Sequence, residues 1–291
     1  MSMADLREKV ILITGATNGI GKAAAQQLAL MKPTLVLVGR NPERTERTVA
    51  ELKTASGNPH IHGLVADLSV MAQVHDLAEQ FKRRFDRLDV LLNNAGAVFE
   101  QRQRSADGFE LTFATNHLNY FLLTNRLLDV LKASAPARVV NVSSDAHRIA
   151  RQMDFDNLDG QRWGMMGFQA YSLSKLANVL FTRELARRLE GSGVTANALH
   201  PGSIASGFGR NNSSLFSTLF FKTVGPLMMK SPEVGARTLV YLAASPEVEG
   251  VNGGYFVDCK PVQPSKAAQD DTAARRLWEI SEKLVGQTVG A

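Results

Sequence analysis

Val10-Ile11-Leu12-Ile13-Thr14-Gly15-Ala16-Thr17-Asn18-Gly19-Ile20-Gly21 runs from an unbroken apolar stretch into a glycine-rich turn, and from there into small and apolar residues at helical spacing. A continuous Val/Ile/Leu run suits a strand buried on both faces. The pattern predicts a strand over Lys9–Thr14, a helix over Ile20–Met31 and a second apolar strand over Thr34–Val38, which together make one βαβ unit. The alternation continues: helix Pro42–Ala55, strand His60–Val65, helix Val70–Phe85, strand Leu88–Leu92, helix Phe109–Lys132, strand Ala137–Val142, helix Gln169–Leu189 and strand Val194–Leu199. Asn41-Pro42 and Ser231-Pro232 each place a capping side chain ahead of a proline suited to a first helical turn. The fold class implied is α/β, a single doubly wound parallel sheet with helices on both faces, in one domain over residues 1–291. Asp145–Phe168 and Gly202–Lys230 break the alternation, and both follow predicted strand ends, where open α/β sheets bind ligands.

Composition narrows the function classes. The one cysteine, Cys259, excludes an intramolecular disulfide, and a reducing, cytoplasmic setting fits. The start is short and mixed in charge, and Val10–Ile13 is far too short to span a bilayer, so neither a signal peptide nor an integral membrane anchor is expected. The formal charge of +5 is dispersed: Arg83-Arg84, Arg187-Arg188 and Arg275-Arg276 sit beside acids on helical segments and read as solvated faces, so no nucleic-acid partner is expected. No metal is expected either. His117, His147 and His200 lack a second ligand at suitable spacing, and Asp154, Asp156 and Asp159 read as turn and capping residues.

Gly15, Thr17, Asn18, Gly19, Ile20 and Gly21 occupy a strand-to-helix turn. Small residues there let backbone approach a dinucleotide's pyrophosphate, and the helix start offers free N–H groups. The spacing is Gly15-x-x-x-Gly19-x-Gly21, and such a turn can also be no more than a tight connection. After the second strand comes Gly39-Arg40. With no acid to repel a phosphate and a guanidinium suited to binding one, NADP is favoured over NAD, the other reading of Arg40 being a plain surface arginine. Asn93-Asn94-Ala95-Gly96 and Ser143-Ser144 follow strands, and Tyr171 and Lys175 lie four apart on one helix face.

In this order the motifs, with His200-Pro201-Gly202 after the sixth strand, resemble the short-chain dehydrogenase/reductase family over nearly the whole chain, a Rossmann-type fold. The resemblance implies Tyr171 as acid/base, Lys175 as its electrostatic partner and ribose contact, Ser144 (or adjacent Ser143) as donor to the substrate oxygen, and Asn116 as the asparagine that holds a water beside the lysine. It also implies cofactor contacts at Asp67 and Leu68 for the adenine, at Asn94, Ala95 and Gly96 near the ribose, and at Pro201, Gly202, Ile204 and Ser206. The long Ser144–Tyr171 separation, together with Ser174-Lys175-Leu176-Ala177-Asn178, Tyr255-Phe256-Val257-Asp258-Cys259 and Arg275-Arg276-Leu277-Trp278-Glu279, is similar to the retinol dehydrogenase-like branch. WW-domain oxidoreductases and protochlorophyllide reductases share parts of this pattern. The implied activity is NADP(H)-dependent hydride transfer to or from a small apolar aldehyde, ketone or alcohol, as in a carbonyl reductase or alcohol dehydrogenase. Phe168, Met165, Met166, Phe208, Leu215 and Phe216 could line the pocket or pack as loop residues. The alternative is a non-catalytic NADP(H)-binding sensor or scaffold. A homodimer through the two long helices is a further expectation.

Overall fold

Successive residues of a strand face opposite sides of its sheet, and the first strand, β1 (Val10–Thr14), uses both sides. Val10 and Leu12 enter one apolar core, Ile11 and Ile13 the other. The computed structural model describes residues 5–160, 167–202 and 230–289, and its sheet separates these two cores. In chain order the elements are α1 (Gly19–Ala29), β2 (Thr34–Gly39), α2 (Pro42–Ser56), β3 (Ile61–Val65), α3 (Met71–Arg84), β4 (Val90–Asn93), α4 (Leu111–Phe113), α5 (Asn119–Arg126), α6 (Leu128–Ala133), β5 (Ala137–Val142), α7 (Phe168–Arg188), β6 (Val194–His200), α8 (Pro232–Ala244), β7 (Tyr255–Val257), β8 (Lys260–Pro261) and α9 (Asp271–Val289). Helices α1, α2 and α8 fill one face, and α3, α5, α7 and α9 the other.

The strand order is β3-β2-β1-β4-β5-β6-β7-β8, parallel from β1 to β7, with β8 an antiparallel edge. The winding reverses between β1 and β4, and in open α/β sheets the crevice beyond the carboxyl ends of the strands at such a point is where ligands bind. β7 and β8 are three and two residues long, too short to show a period in the sequence.

The single helix expected over Phe109–Lys132 is broken in two places. Glu110 stays outside it and caps α4, its carboxylate accepting from the Thr112 and Phe113 amides at 2.9 and 2.7 Å. A π-helical turn, Ala114–Leu118, then carries Asn116 and His117, and Leu127, at φ −106° and ψ 4°, separates α5 from α6. Such π turns recur at functional sites. Asn41 caps α2 as anticipated, accepting from the Arg44 amide at 2.8 Å. Ser231 makes no such bond ahead of α8, because its side chain pairs with the Glu233 carboxylate instead.

Helix α9 lies on α7 and α3 and drives Trp278 against Phe121 and Phe181, with ring centroids 4.9 and 5.8 Å apart, while the Arg188 guanidinium covers the indole at 4.2 Å. The helix pair through which the family resemblance suggests a homodimer therefore carries the chain's own α9. Trp278 is 4% exposed, and Trp278→Ala is expected to cost about 3–5 kcal/mol. Urea unfolding checks this, and a loss below about 1 kcal/mol would mean that α9 docks without Trp278 as its anchor. Among the described residues no helix is long and apolar enough to cross a membrane.

Candidate active site

The glycine turn is laced to the next strand over. Thr14 Oγ1 donates to the Leu92 carbonyl at 3.3 Å and accepts from the amides of Asn94 and Ala95 at 2.9 and 3.0 Å. The Asn94 side-chain amide donates to the carbonyls of Thr14 and Gly15 at 2.8 and 3.3 Å. Asn94 thus faces the turn itself. Gly15 has φ +66°, and a Cβ on Gly21 would stand 2.3 Å from the Gly15 oxygen and 2.4 Å from Asn94 Nδ2, so no side chain fits where α1 meets the turn. Asn18 caps α1 through the Gly19 amide at 2.7 Å, and the first-turn amides of Ile20 and Gly21 have no acceptor within the helix. Bare backbone, a helix start and a crevice together fit a diphosphate.

Arg40 stands exposed just past β2. At Gly39 a Cβ would lie 2.3 Å from Thr45 Oγ1 and 2.6 Å from Thr17 Cγ2, so packing keeps that position bare of any carboxylate. Asp67 closes a local turn, its Oδ1 accepting from the Ser69 amide and hydroxyl at 3.0 and 2.7 Å, with Leu68 buried beside it.

Deeper in the crevice, β5 delivers two serines with different fates. Ser143 is buried and its hydroxyl donates to the Lys175 carbonyl at 2.8 Å. Ser144 instead caps the short turn Asp145–Arg148, accepting from the Ala146 amide at 3.2 Å, and its side chain hydrogen-bonds the Tyr171 hydroxyl. Of the two, Ser144 faces the tyrosine. Lys175, one helical turn beyond Tyr171, is buried and donates from Nζ to the Val142 carbonyl at 3.0 Å, with the Tyr171 ring centroid 5.6 Å away. Burial brings the Lys175 ammonium down to about 7 and pushes the Tyr171 phenol up to about 12, the Ser144 bond opposing the latter. Gly96 leaves room for both neighbours: a Cβ there would lie 3.1 Å from Asn116 Oδ1 and 3.5 Å from Lys175 Nζ.

Asn116 is fully buried. Its side chain accepts from the Ala97 amide at 2.8 Å and donates to the Ala97 carbonyl and Ser174 Oγ, both at 2.9 Å. Its carbonyl accepts from Asn178 Nδ2 at 2.9 Å, and the same amide reaches the Val142 carbonyl at 3.2 Å, beside Lys175. His117 backs this arrangement, its ring nitrogens 3.4 Å from Asn178 Oδ1 and 3.0 Å from Ser281 Oγ, and burial lowers it to about 4, so it is neutral at pH 7. Thr14, Asn178 and Tyr120 are not among the site residues the sequence suggests, although Thr14 and Asn178 lie inside its motifs. Threonine and asparagine give no periodic signal, and Tyr120 reads as an ordinary core ring although its hydroxyl has no hydrogen-bond partner among the described residues.

Pro201 and Gly202, at φ +93°, follow β6. Ile204, Ser206, Met165, Met166, Phe208, Leu215 and Phe216 lie outside the described residues. Phe168 is 49% exposed, its ring 6.2 Å from that of Tyr171. Asp159 pairs with Arg102 and Arg104, and Asp156 with Arg276. No cluster among the described residues has the makings of a metal site.

The short chain dehydrogenase family model matches residues 9–155. Human retinol dehydrogenase 13 is 43% identical over 288 residues, covering 98% of this chain and 87% of that protein. Human retinol dehydrogenase 14 is 41% identical, with 96% and 86% covered. Among solved structures, an uncharacterized protein from Mycobacterium paratuberculosis superposes with a TM-score of 0.78 at 30% identity, over 98% of this chain and 96% of that one. The Pseudomonas aeruginosa RhlG/NADP active-site complex gives 0.69 at 27% identity, over 87% and 97%.

Proposed function

The chain belongs to the short-chain dehydrogenase family, in its retinol dehydrogenase-like branch, and from that membership we propose that it moves a hydride between NADP(H) and an apolar alcohol, aldehyde or ketone, with Tyr171 as general acid and base. The observation that carries this reading is the hydrogen bond between Ser144 and the Tyr171 hydroxyl, with the buried Lys175 amine one turn behind the phenol. The turn from Gly15 through Gly21 would hold the diphosphate, Asp67 and Leu68 the adenine, Asn94 to Gly96 with Tyr171 and Lys175 the nicotinamide ribose, and Arg40 the 2′-phosphate. The cofactor, when bound, supplies or takes up the hydride. Ser144 would hydrogen-bond the substrate oxygen through its hydroxyl and fix its position, and Tyr171 would deliver the one proton that oxygen takes up as negative charge gathers there. In the reverse direction the Tyr171 phenolate takes up the alcohol proton and becomes the phenol, and a Lys175 ammonium favours that phenolate beforehand, each unit of pKa being worth about 1.4 kcal/mol. The likeness to retinol dehydrogenases and the exposed Phe168 ring beside Tyr171 support an apolar substrate.

The test is the initial rate of NADPH and NADH oxidation by the purified protein with a panel of apolar aldehydes and ketones, retinal included. Turnover with NADPH is expected, and none with any member would sink the reading. Arg40→Asp separates the cofactors. It removes a charge-assisted phosphate contact and adds a repulsion, so kcat/KM for NADPH should fall about 100-fold while that for NADH changes less than about threefold. Equal losses would remove Arg40 from phosphate recognition.

A further inference from the structure

His147 is fully buried behind Ser144 and has both ring nitrogens engaged. Nε2 lies 3.0 Å from the backbone N–H of Ser265, which can only donate, so Nε2 carries the lone pair. The proton is therefore on Nδ1, which donates to the Ser144 carbonyl at 2.7 Å. That carbonyl also accepts the backbone N–H of His147 at 3.0 Å, so one residue supplies two donors and both lone pairs of the oxygen are taken. The ring edge meets Tyr255 of β7, centroids 4.9 Å apart, and the Tyr255 hydroxyl donates to Asp145 at 3.2 Å. The Ser144 carbonyl is thus held by a ring that packs against β7 and is backed by the segment after β8. Ser144 sits where extended backbone, at φ −164° and ψ 155°, turns abruptly into a 3-10 turn. The orientation of that peptide decides where its Cβ, and so its hydroxyl, points. Without the ring, the Ser144 carbonyl keeps one ordinary turn hydrogen bond, while the Asp145 N–H of the same peptide still donates to His200 Nδ1 at 3.3 Å.

We propose that His147 is a positioning residue for Ser144, the Nδ1–H to Ser144 carbonyl bond holding the serine hydroxyl on the Tyr171 side, with the Ser265 amide as its backstop. This rests on the hydride-transfer reading, for which the serine must meet the substrate oxygen. His147 touches none of the reacting groups, and it acts through Ser144 alone.

Two substitutions separate the two ring contacts. His147→Asn places an amide donor near the Nδ1 position and restores the bond to Ser144, whereas His147→Gln reaches the Nε2 position, accepts from Ser265 and leaves Ser144 with its turn bond only. Misplacement on the scale of an ångström costs up to about 100-fold, so kcat with NADPH and a reactive aldehyde should fall roughly 10- to 100-fold in His147→Gln and less than about threefold in His147→Asn. KM and Kd for NADPH stay put in both. Amide hydrogen exchange over residues 143–148 should quicken in His147→Gln and not in His147→Asn, a readout that needs no substrate. Equal kcat losses in the two variants that track their loss of thermal stability, or an unchanged kcat or exchange in His147→Gln, would overturn the proposal. Exchange that quickens in His147→Gln alone, in a protein that turns over no carbonyl, upholds the grip on Ser144 and sinks the hydride-transfer reading instead.

Discussion

Tyr171→Phe is expected to lower kcat by about 10²–10⁴-fold, the usual worth of a positioned proton donor, while the Kd for NADPH moves by less than about threefold. The substitution keeps the ring that lies near Phe168 and Lys175 and deletes only the hydroxyl. Ser144 loses its phenol partner and retains the Ala146 amide, so the serine turn stays closed. The phenol is pushed up to about 12, which makes it a proton donor at neutral pH and suits carbonyl reduction directly. Alcohol oxidation needs the phenolate, so its rate should climb with pH in the wild type and show no such climb in the variant. Fluorescence titration of NADPH and initial rates in both directions read these effects. Unchanged turnover would take Tyr171 out of the chemistry, and a parallel loss of NADPH binding would recast it as a cofactor contact only.

How far the sequence reached is best judged element by element. The run into the turn at Val10–Gly21 was readable because two independent signals coincide there, strand-like hydrophobicity and glycines where a Cβ cannot fit. The structure adds the reason each glycine is needed, as at Gly21 against the Gly15 oxygen. Tyr171 and Lys175 were readable because helical spacing alone places them on one face. The break of the helix around Asn116 was not, since no residue pattern there marks a π turn and the partners that hold Asn116, namely Ala97, Ser174 and Asn178, are distant in sequence. Ser143 and Ser144 could not be told apart by pattern. What separates them is that the Ser143 hydroxyl meets the Lys175 carbonyl, a contact across 32 positions. The role of His147 was hidden for the same reason, its second partner being the Ser265 amide, 118 positions on.

Lys175→Met should remove most turnover and, at neutral pH and below, make the cofactor-free protein more stable rather than less. Burial holds the folded-state pKa near 7, against about 10.5 in the unfolded chain, so between these values the unfolded state binds the extra proton and stability rises with pH. Below pH 7 the lysine is charged in both states and the full burial penalty is present, whereas above about pH 10.5 it is neutral in both and the penalty is gone. Methionine carries no such penalty and fills similar space. The Val142 carbonyl keeps a donor, the Asn178 amide at 3.2 Å. The melting temperature of the variant should therefore exceed that of the wild type by roughly 5–10 °C at pH 6, and the gap should close as pH approaches 10. Titrating groups away from Lys175 are common to both proteins and cancel in the difference, and the nearby Tyr171 phenol, pushed up to about 12, stays protonated over most of this range. A variant less stable than the wild type at pH 6 would mean that the Nζ–carbonyl bond outweighs desolvation. If the gap instead proves independent of pH, Lys175 is charged in the fold as readily as in water, and Tyr171 then has a permanent ammonium beside it.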